Sequence, residues 1–190
     1  MTKRIVIADD EPITRMDIRE MLEEAGYSVV AEASDGFDAI EMCRKHLPDL
    51  IIMDIKMPLL DGLNASKIIN QEGLASGIVL LSAYSDKTFI EKAKEVGVIG
   101  YLVKPLDNKS LIPNIEVCLS KSREFKKIKD DIKSVEKKLQ ARKIIEKAKG
   151  ILMRQNGITE DEAYSNIRNL SMKKRVTMEE ISQIIVMSEE

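Results

Sequence analysis

The chain has 190 residues, of which 44% are hydrophobic and 33% charged, a composition typical of folded globular proteins rather than of disordered chains. One histidine and two cysteines argue against a histidine-rich metal site and a disulfide-stabilised scaffold, and no apolar run reaches the roughly 18 residues that a membrane-spanning helix needs. The net charge of −2 is unevenly spread along the chain. Residues 1–120 carry 13 basic and 20 acidic side chains, residues 121–155 carry 13 basic and 5 acidic, and residues 156–190 carry 4 basic and 7 acidic. This distribution indicates different partners for different segments.

Short apolar runs alternate with amphipathic stretches through the first 120 residues. The runs are rich in Val and Ile and hardly alternate in polarity, as expected of strands buried on both faces of a parallel sheet. They lie at 4–8, 28–32, 50–54, 77–82 and 99–103, and helices are predicted near 13–25, 36–46, 64–71, 87–95 and 108–120. Gly26 and Gly97 stand where a glycine commonly follows a helix. The pattern predicts an α/β fold with a doubly wound, five-stranded parallel sheet.

The segment after residue 120 contains no further strand-like run. Apolar residues spaced alternately three and four positions apart predict a helical, coiled-coil-like linker over residues 121–141. These residues are Phe125, Ile128, Ile132, Val135 and Leu139. Such a seam could pair with a copy of itself or pack on its own domain, and the sequence leaves both interpretations open.

Residues 142–190 predict a small all-α domain of three helices. The first covers residues 142–155 and ends at Asn156 and Gly157. Thr159 with Glu162, and Thr177 with Glu180, have the spacing of capping boxes and mark the next two helix starts. The two cysteines, Cys43 and Cys118, lie in predicted helices, where reduced core thiols are favoured over a disulfide.

Chemically reactive side chains stand at the carboxyl ends of four of the five strands. Asp9 and Asp10 follow the first, Asp54 closes the third, Ser82 ends the fourth, and Lys104 follows the fifth. Because ligands of open parallel sheets bind outside the carboxyl ends of the strands, we expect these side chains to meet. Asp54 would be a nucleophile toward a phosphoryl group, the three carboxylates would bind Mg²⁺, and the ammonium and hydroxyl groups would hold phosphoryl oxygens. Taken singly, Asp10 could be a helix cap and Lys104 part of a turn, so the prediction depends on the joint pattern.

Residues 1–120 resemble the receiver domain of two-component response regulators. The resemblance is carried by Asp9-Asp10, by the segment 52–62 (IMDIKMPLLDG), by Ser82-Ala83 and by the segment 101–105 (YLVKP). It implies a flavodoxin-like fold, Asp54 as the phosphoacceptor of a sensor histidine kinase, Mg²⁺ held by Asp9 and Asp10, and a cis peptide before Pro105. It also implies a switch in which Ser82 moves toward the phosphoryl group and Tyr101 becomes buried. Such a protein is a cytoplasmic regulator that accepts and can hydrolyse its own phosphoryl group, and it is not an enzyme acting on a diffusible substrate.

Residues 142–190 resemble the ANTAR module, a three-helix RNA-binding domain of antiterminators. The segments 145–153 (IEKAKGILM) and 157–164 (GITEDEAY) carry the resemblance, together with Arg168 and Ser171-Met172. Ser171 departs from the alanine that is usual there. The resemblance implies that the protein binds paired hairpins in leader RNA and prevents transcription termination. Because two hairpins suit two RNA-binding modules, we hypothesise that phosphorylation drives formation of a homodimer through the helix from Phe125 to Leu139.

Several residues of this module are candidates for contact with RNA. Positive charge lies along one helix, as phosphate binding requires. The candidates are Lys143, Lys147, Lys149, Gly150, Arg154, Tyr164 and Arg168. Gly150 within a helix indicates that RNA or a neighbouring helix approaches its backbone closely. Tyr164 could stack on a base or belong to the core of the bundle.

Three other functions compete with RNA binding. A DNA-binding transcription factor would need a basic recognition helix, yet residues 178–188 contain no Lys or Arg. A tail that docks on another protein is favoured mildly by the methionines of this region. An enzyme acting on a diffusible substrate has no support outside the single acidic cluster. We therefore predict RNA rather than DNA as the partner, and the absence of a long apolar run predicts no membrane partner.

Overall fold

The computed structural model describes residues 2–83 and 87–189, except for the side chains of residues 87–89. The chain forms two compact units, residues Met1–Lys127 and Ile128–Glu190. No helix among the described residues is long and apolar enough to cross a membrane.

The first unit is a five-stranded parallel sheet flanked by helices. Its elements are β1 (Arg4–Ala8), α1 (Pro12–Glu24), β2 (Ser28–Ala33), α2 (Gly36–His46), β3 (Leu50–Asp54), α3 (Gly62–Glu72), β4 (Ile78–Ser82), α4 (Lys87–Glu95) and β5 (Gly100–Val103), followed by the start of α5 (Asn108–Asn156). The strand order is β2-β1-β3-β4-β5, and every neighbouring pair is parallel. The predicted α/β fold is confirmed. The order reverses between β1 and β3, which is where a crevice is expected.

The sheet separates two apolar clusters, because successive strand residues point to opposite faces. Val6 and Ala8 of β1 pack with α2 and α3 on one face, whereas Ile5 and Ile7 pack with α1 and α5 on the other. All four side chains are fully buried. Burial of an aliphatic side chain of this size contributes about 1.5–3 kcal/mol, so the strands that carry the site are held rigidly from both sides.

Helix α5 is a single helix of 49 residues. The three segments predicted separately, namely the helix near 108–120, the linker over 121–141 and the helix over 142–155, form one continuous helix. No glycine or proline between Pro113 and Gly150 interrupts it. The five seam residues of the linker, from Phe125 to Leu139, are between 51% and 64% exposed. Each of these seam side chains is therefore more than half exposed in the part of the chain that the structure describes.

The second unit contains the end of α5 together with α6 (Glu160–Lys174) and α7 (Met178–Met187). Both predicted capping boxes are formed: the hydroxyl of Thr159 accepts from the backbone N–H of Glu162, and the hydroxyl of Thr177 accepts from that of Glu180. Its buried core contains Ala148, Ile167 and Ile181, one from each helix. The three-helix prediction is confirmed.

Both cysteines of the first unit are free and buried. Burial raises the pKa of the Cys43 thiol to about 12. Burial also raises the pKa of Cys118, against a smaller opposing effect of Lys121.

Candidate functional site

A cavity of about 400 Å³ opens at the carboxyl ends of β1, β3, β4 and β5. Its lining includes Asp10, Asp54, Ser82 and Lys104, four of the five side chains that the sequence predicted to meet. The fifth, Asp9, has no solvent exposure.

Lys104 joins the two buried carboxylates. Its Nζ lies 2.7 Å from Oδ2 of Asp9 and 3.2 Å from Oδ1 of Asp54. Partial burial acts to lower the pKa of Lys104, but the hydrogen bond to Asp9 and the negative charges of Asp54 and Asp9 outweigh it and raise that pKa. The ammonium group is therefore a fixed positive charge in the cavity.

Asp54 is held by its own loop as well as by Lys104. Its Oδ2 accepts a hydrogen bond of 3.0 Å from the backbone N–H of Lys56. Burial raises the pKa of the Asp54 carboxyl, and the charge of Asp9 adds to this while Lys104 opposes it. The backbone N–H of Gly62 donates to the carbonyl oxygen of Ile55 at 2.9 Å, and a Cβ at Gly62 would collide with the carbonyl oxygen of Asp54. Only glycine lets this loop close against the strand end.

The turn that carries Asp9 and Asp10 is fixed from both sides. Oδ1 of Asp9 accepts from the backbone N–H of Glu11 at 3.0 Å, and the guanidinium of Arg15 donates to the carbonyl oxygen of Asp9 at 2.6 Å. Arg15 also binds the carboxylate of Glu32 on β2, at 3.1 Å. Sequence reasoning missed Arg15, because its partners lie six and 17 positions away and no short motif connects them.

The donor set fits a hard cation such as Mg²⁺ in kind, since Asp9, Asp10 and Asp54 offer only carboxylate oxygens. Within the described ranges, however, no group of three or more acidic, histidine or cysteine side chains is assembled as a metal cluster. Asp9 and Asp54 are instead paired with Lys104, and Asp10 is exposed to solvent.

Of the two residues predicted to switch, Ser82 lines the cavity and Tyr101 lies on β5. Ser82 is buried at the end of β4, and its carbonyl oxygen accepts a 2.8 Å hydrogen bond from the backbone N–H of Lys104. Tyr101 is half-buried and packs against the cluster on the α2–α3 face. The Lys104–Pro105 peptide is cis, as predicted. Movement of Ser82 and Tyr101 remains a prediction.

Three of the candidate cations in the second unit share one face of α5. Lys143, Lys147 and Arg154 are exposed and stand at positions i, i+4 and i+11, with Gly150 between them at i+7. A Cβ at Gly150 would meet no atom within 4 Å. No neighbouring helix in the described part of the chain therefore accounts for this glycine. We call these four residues the α5 basic face.

Lys149 lies apart from that face, contrary to the role predicted for it. Its side chain is only 8% exposed, and its Nζ lies 2.9 Å from Glu146 and 2.6 Å from Glu160. Hydrogen bonds to Glu146 and then Glu160 raise the pKa of Lys149. The ammonium group is thus paired with two carboxylates and ties α5 to the start of α6, which disfavours the contact with RNA predicted for Lys149.

Helix α6 presents a second exposed face. Tyr164 is 45% exposed and is not part of the core, so the interpretation as a core tyrosine is wrong. Tyr164, Arg168 and Met172 stand four positions apart and are all exposed. Ser171, the departure from the usual pattern, is buried, and its hydroxyl donates to the carbonyl oxygen of Arg168 at 2.8 Å.

An aspartate and a lysine that meet at the strand ends of a β2-β1-β3-β4-β5 parallel sheet form the arrangement expected of a receiver domain. The comparisons agree: the family model for the response regulator receiver domain matches residues 5–116, and that for the ANTAR domain matches residues 133–186. The chain belongs to the response regulator family and combines a receiver domain with a C-terminal ANTAR domain.

Similar proteins support both parts. The transcriptional regulatory protein PdtaR of Mycobacterium tuberculosis is 40% identical over 184 residues, covering 97% of this chain and 89% of that protein. The chemotaxis protein CheY of Bacillus subtilis is 37% identical over 120 residues, covering 63% of this chain and 100% of CheY. A solved two-component response regulator of the LuxR family from Aurantimonas superposes with a TM-score of 0.59 at 36% identity, covering 63% of this chain and 86% of that one.

Proposed function

We propose that a sensor histidine kinase phosphorylates this protein on Asp54, and that the protein then binds tandem hairpins in leader RNA and prevents transcription termination. The observation that supports this best is the presence, in one chain, of a Lys104–Asp54 crevice and an ANTAR domain with an exposed α5 basic face.

Phosphoryl transfer to Asp54 needs little beyond positioning. A carboxylate oxygen of Asp54 attacks the phosphorus of a phosphohistidine, a new P–O bond forms, and the P–N bond breaks with its electron pair leaving on the imidazole. Lys104 already lies 3.2 Å from the carboxylate and stays protonated, so its charge can bind a phosphoryl oxygen without reorganisation. The hydroxyl of Ser82, at the cavity wall, would donate to another oxygen.

Asp9, Asp10 and Asp54 would hold Mg²⁺. When bound, the ion would neutralise the negative charge that the carboxylates and the phosphoryl group bring together. The acyl phosphate on Asp54 can be hydrolysed by water, so the protein would reset itself without turning over a diffusible substrate.

RNA contact would use both exposed faces of the ANTAR domain. Lys143, Lys147 and Arg154 would bind phosphates around Gly150. On α6, Tyr164 would stack on an unpaired base and Arg168 would bind nearby, because both are exposed one turn apart. Lys149 is no longer among the proposed contacts.

Phosphorylation would act through a homodimer. The exposed seam of the linker offers an apolar contact to a second copy, and two ANTAR domains suit two hairpins. Once one domain has bound, the second binds at a high effective concentration, so a modest dimerisation signal becomes a large gain in avidity.

Binding to DNA is not supported by the last helix. Helix α7 contains no Lys or Arg, whereas readout of the major groove requires cationic and polar side chains on an exposed helix. The exposed Ile184 and Met187 of α7 favour docking on another protein as the rival function.

The test compares binding of the full chain to a tandem-hairpin leader RNA and to duplex DNA, with and without beryllofluoride as a phosphoryl mimic on Asp54. We expect RNA binding that exceeds DNA binding and rises with the mimic. Lys147→Ala should lower RNA affinity and reduce the salt dependence by about one phosphate contact. Lys127→Ala, an exposed residue of the same helix outside both the ANTAR match and the linker seam, is the control. Equal, salt-sensitive binding to both nucleic acids, indifferent to the mimic, would contradict the proposal.

A further inference from the structure

The linker seam is short for a coiled coil. Its apolar residues fill the inward heptad positions, with Phe125, Ile132 and Leu139 at a, and Ile128 and Val135 at d. The next d position is Arg142, so the apolar seam covers about two heptads, fewer than the three or four that usually sustain a coiled coil. The apolar area available to a second copy is therefore too small for a tight dimer.

The charges beside the seam also disfavour tight pairing. In a parallel pair, a g residue of one helix meets the e residue five positions later on the other helix. Asp131 then meets Glu136, and Lys138 meets Lys143, so two of the three such contacts bring like charges together. The remaining contact, Glu124 with Lys129, is attractive. Since two-fold symmetry produces each contact twice, four repulsive contacts oppose two attractive ones.

We propose that the linkers of two copies of this chain form a weak, parallel coiled coil. Charge repulsion between the two linkers keeps the unphosphorylated protein mainly monomeric. Dimerisation then depends on energy supplied from outside the linker, which is what a phosphorylation switch requires. The inference rests on the proposed homodimer and adds the reason why it does not form constitutively.

Exchanging the charges at two positions tests the idea without altering composition. The double variant Glu136→Lys/Lys138→Glu converts both repulsive contacts into attractive ones. All the side chains involved are exposed, so the helix is not expected to unfold, and circular dichroism verifies this. The control is Asp130→Lys/Lys137→Asp, which exchanges charges at f positions, on the side of the helix opposite to the seam.

The readout is the dimer dissociation constant of the unphosphorylated full chain, from sedimentation equilibrium at low and high salt. We expect the exchange at 136 and 138 to tighten the dimer roughly tenfold or more, and the control exchange to leave it unchanged. Salt should strengthen the wild-type dimer by screening repulsion and weaken that of the exchanged variant.

Four results would overturn the inference, and they differ in what they mean for the proposed function. The weak linker would be refuted if the wild-type dimer is already tight. It would also be refuted if the exchange at 136 and 138 does not strengthen the dimer while beryllofluoride does. Either result would leave phosphorylation-driven RNA binding intact. An exchange that weakens the dimer would indicate antiparallel pairing, because g then faces g and the glutamate placed at position 138 would meet Glu124. Monomers under every condition, beryllofluoride included, would refute the homodimer of the proposed function itself.

Discussion

Replacing Gly150 with alanine should stabilise the protein and weaken its binding to RNA. Gly150 lies inside a helix, where glycine is less favourable than alanine by about 1 kcal/mol. An added Cβ meets no atom within 4 Å, so no steric cost offsets this gain. A gain of about 1 kcal/mol raises the melting midpoint by roughly 2–4 °C for a chain of 190 residues. If RNA approaches the backbone at Gly150, the added methyl group should cost about 1–3 kcal/mol of binding, a loss of about 5- to 150-fold.

The assay pairs thermal denaturation with RNA titration on the same preparations. Ser134→Ala is a matched control, because Ser134 is exposed on the same helix, lies outside the α5 basic face, and gains helix propensity on substitution. The control should stabilise slightly and bind RNA like the wild type.

Each half of the prediction for Gly150 can fail separately. A stabilised Gly150→Ala variant with unchanged RNA affinity would show that RNA does not approach this backbone. A destabilised variant would show that the space above Gly150 is filled in the folded protein, and the structural argument would be refuted.

Three further predictions follow from ion pairs and buried charge. Hydrogen bonding to Lys149 lowers the pKa of Glu160 below its usual 4.5. The ion pair therefore stabilises the protein above pH 4.5, and this contribution is lost as the pH falls through the lowered pKa. Glu160→Gln should be less stable than the wild type at neutral pH, and the difference in melting midpoint should vanish in acid. Arg154 binds the carboxylate of Glu189 at 3.0 Å. Glu189→Gln should therefore release the Arg154 cation of the α5 basic face and raise RNA affinity by up to about tenfold. An RNA affinity equal to that of the wild type would mean that Arg154 does not contact RNA. Burial raises the pKa of Asp54 above its usual 3.8, so its charge opposes folding at neutral pH. Without divalent cations, Asp54→Asn should therefore have a higher melting midpoint than the wild type, and a lower midpoint would contradict the raised pKa.

The sequence predicts the first unit well because its signals are local. Each strand is a Val- and Ile-rich run, and the bounds agree with the structure to within one residue. The two capping boxes place the starts of α6 and α7 for the same reason, since a threonine and a glutamate three positions later suffice to fix them. The convergence of Asp54 and Lys104 also follows, because parallel strands bring their carboxyl ends to one edge.

What the sequence does not predict depends on long-range contacts. Lys149 belongs to the same basic run as Lys147, yet it is buried and its ammonium group is paired with Glu160, 11 positions away at the start of α6. Only its spacing of three from Glu146 hinted at an ion pair. Tyr164 is ambiguous for a similar reason: its place in an amphipathic helix does not say which side the other helices cover.

The two buried cysteines make this protein convenient to label. A thiol reacts with maleimides or nitroxide reagents as the thiolate, and Cys43, with a pKa of about 12 and no solvent exposure, forms almost none at neutral pH. Cys118 is also buried and has a raised pKa. A single cysteine introduced at an exposed linker position could therefore carry a spin label or fluorophore with both native thiols in place. Distances between labels on two copies would then report directly on the orientation of the linker helices.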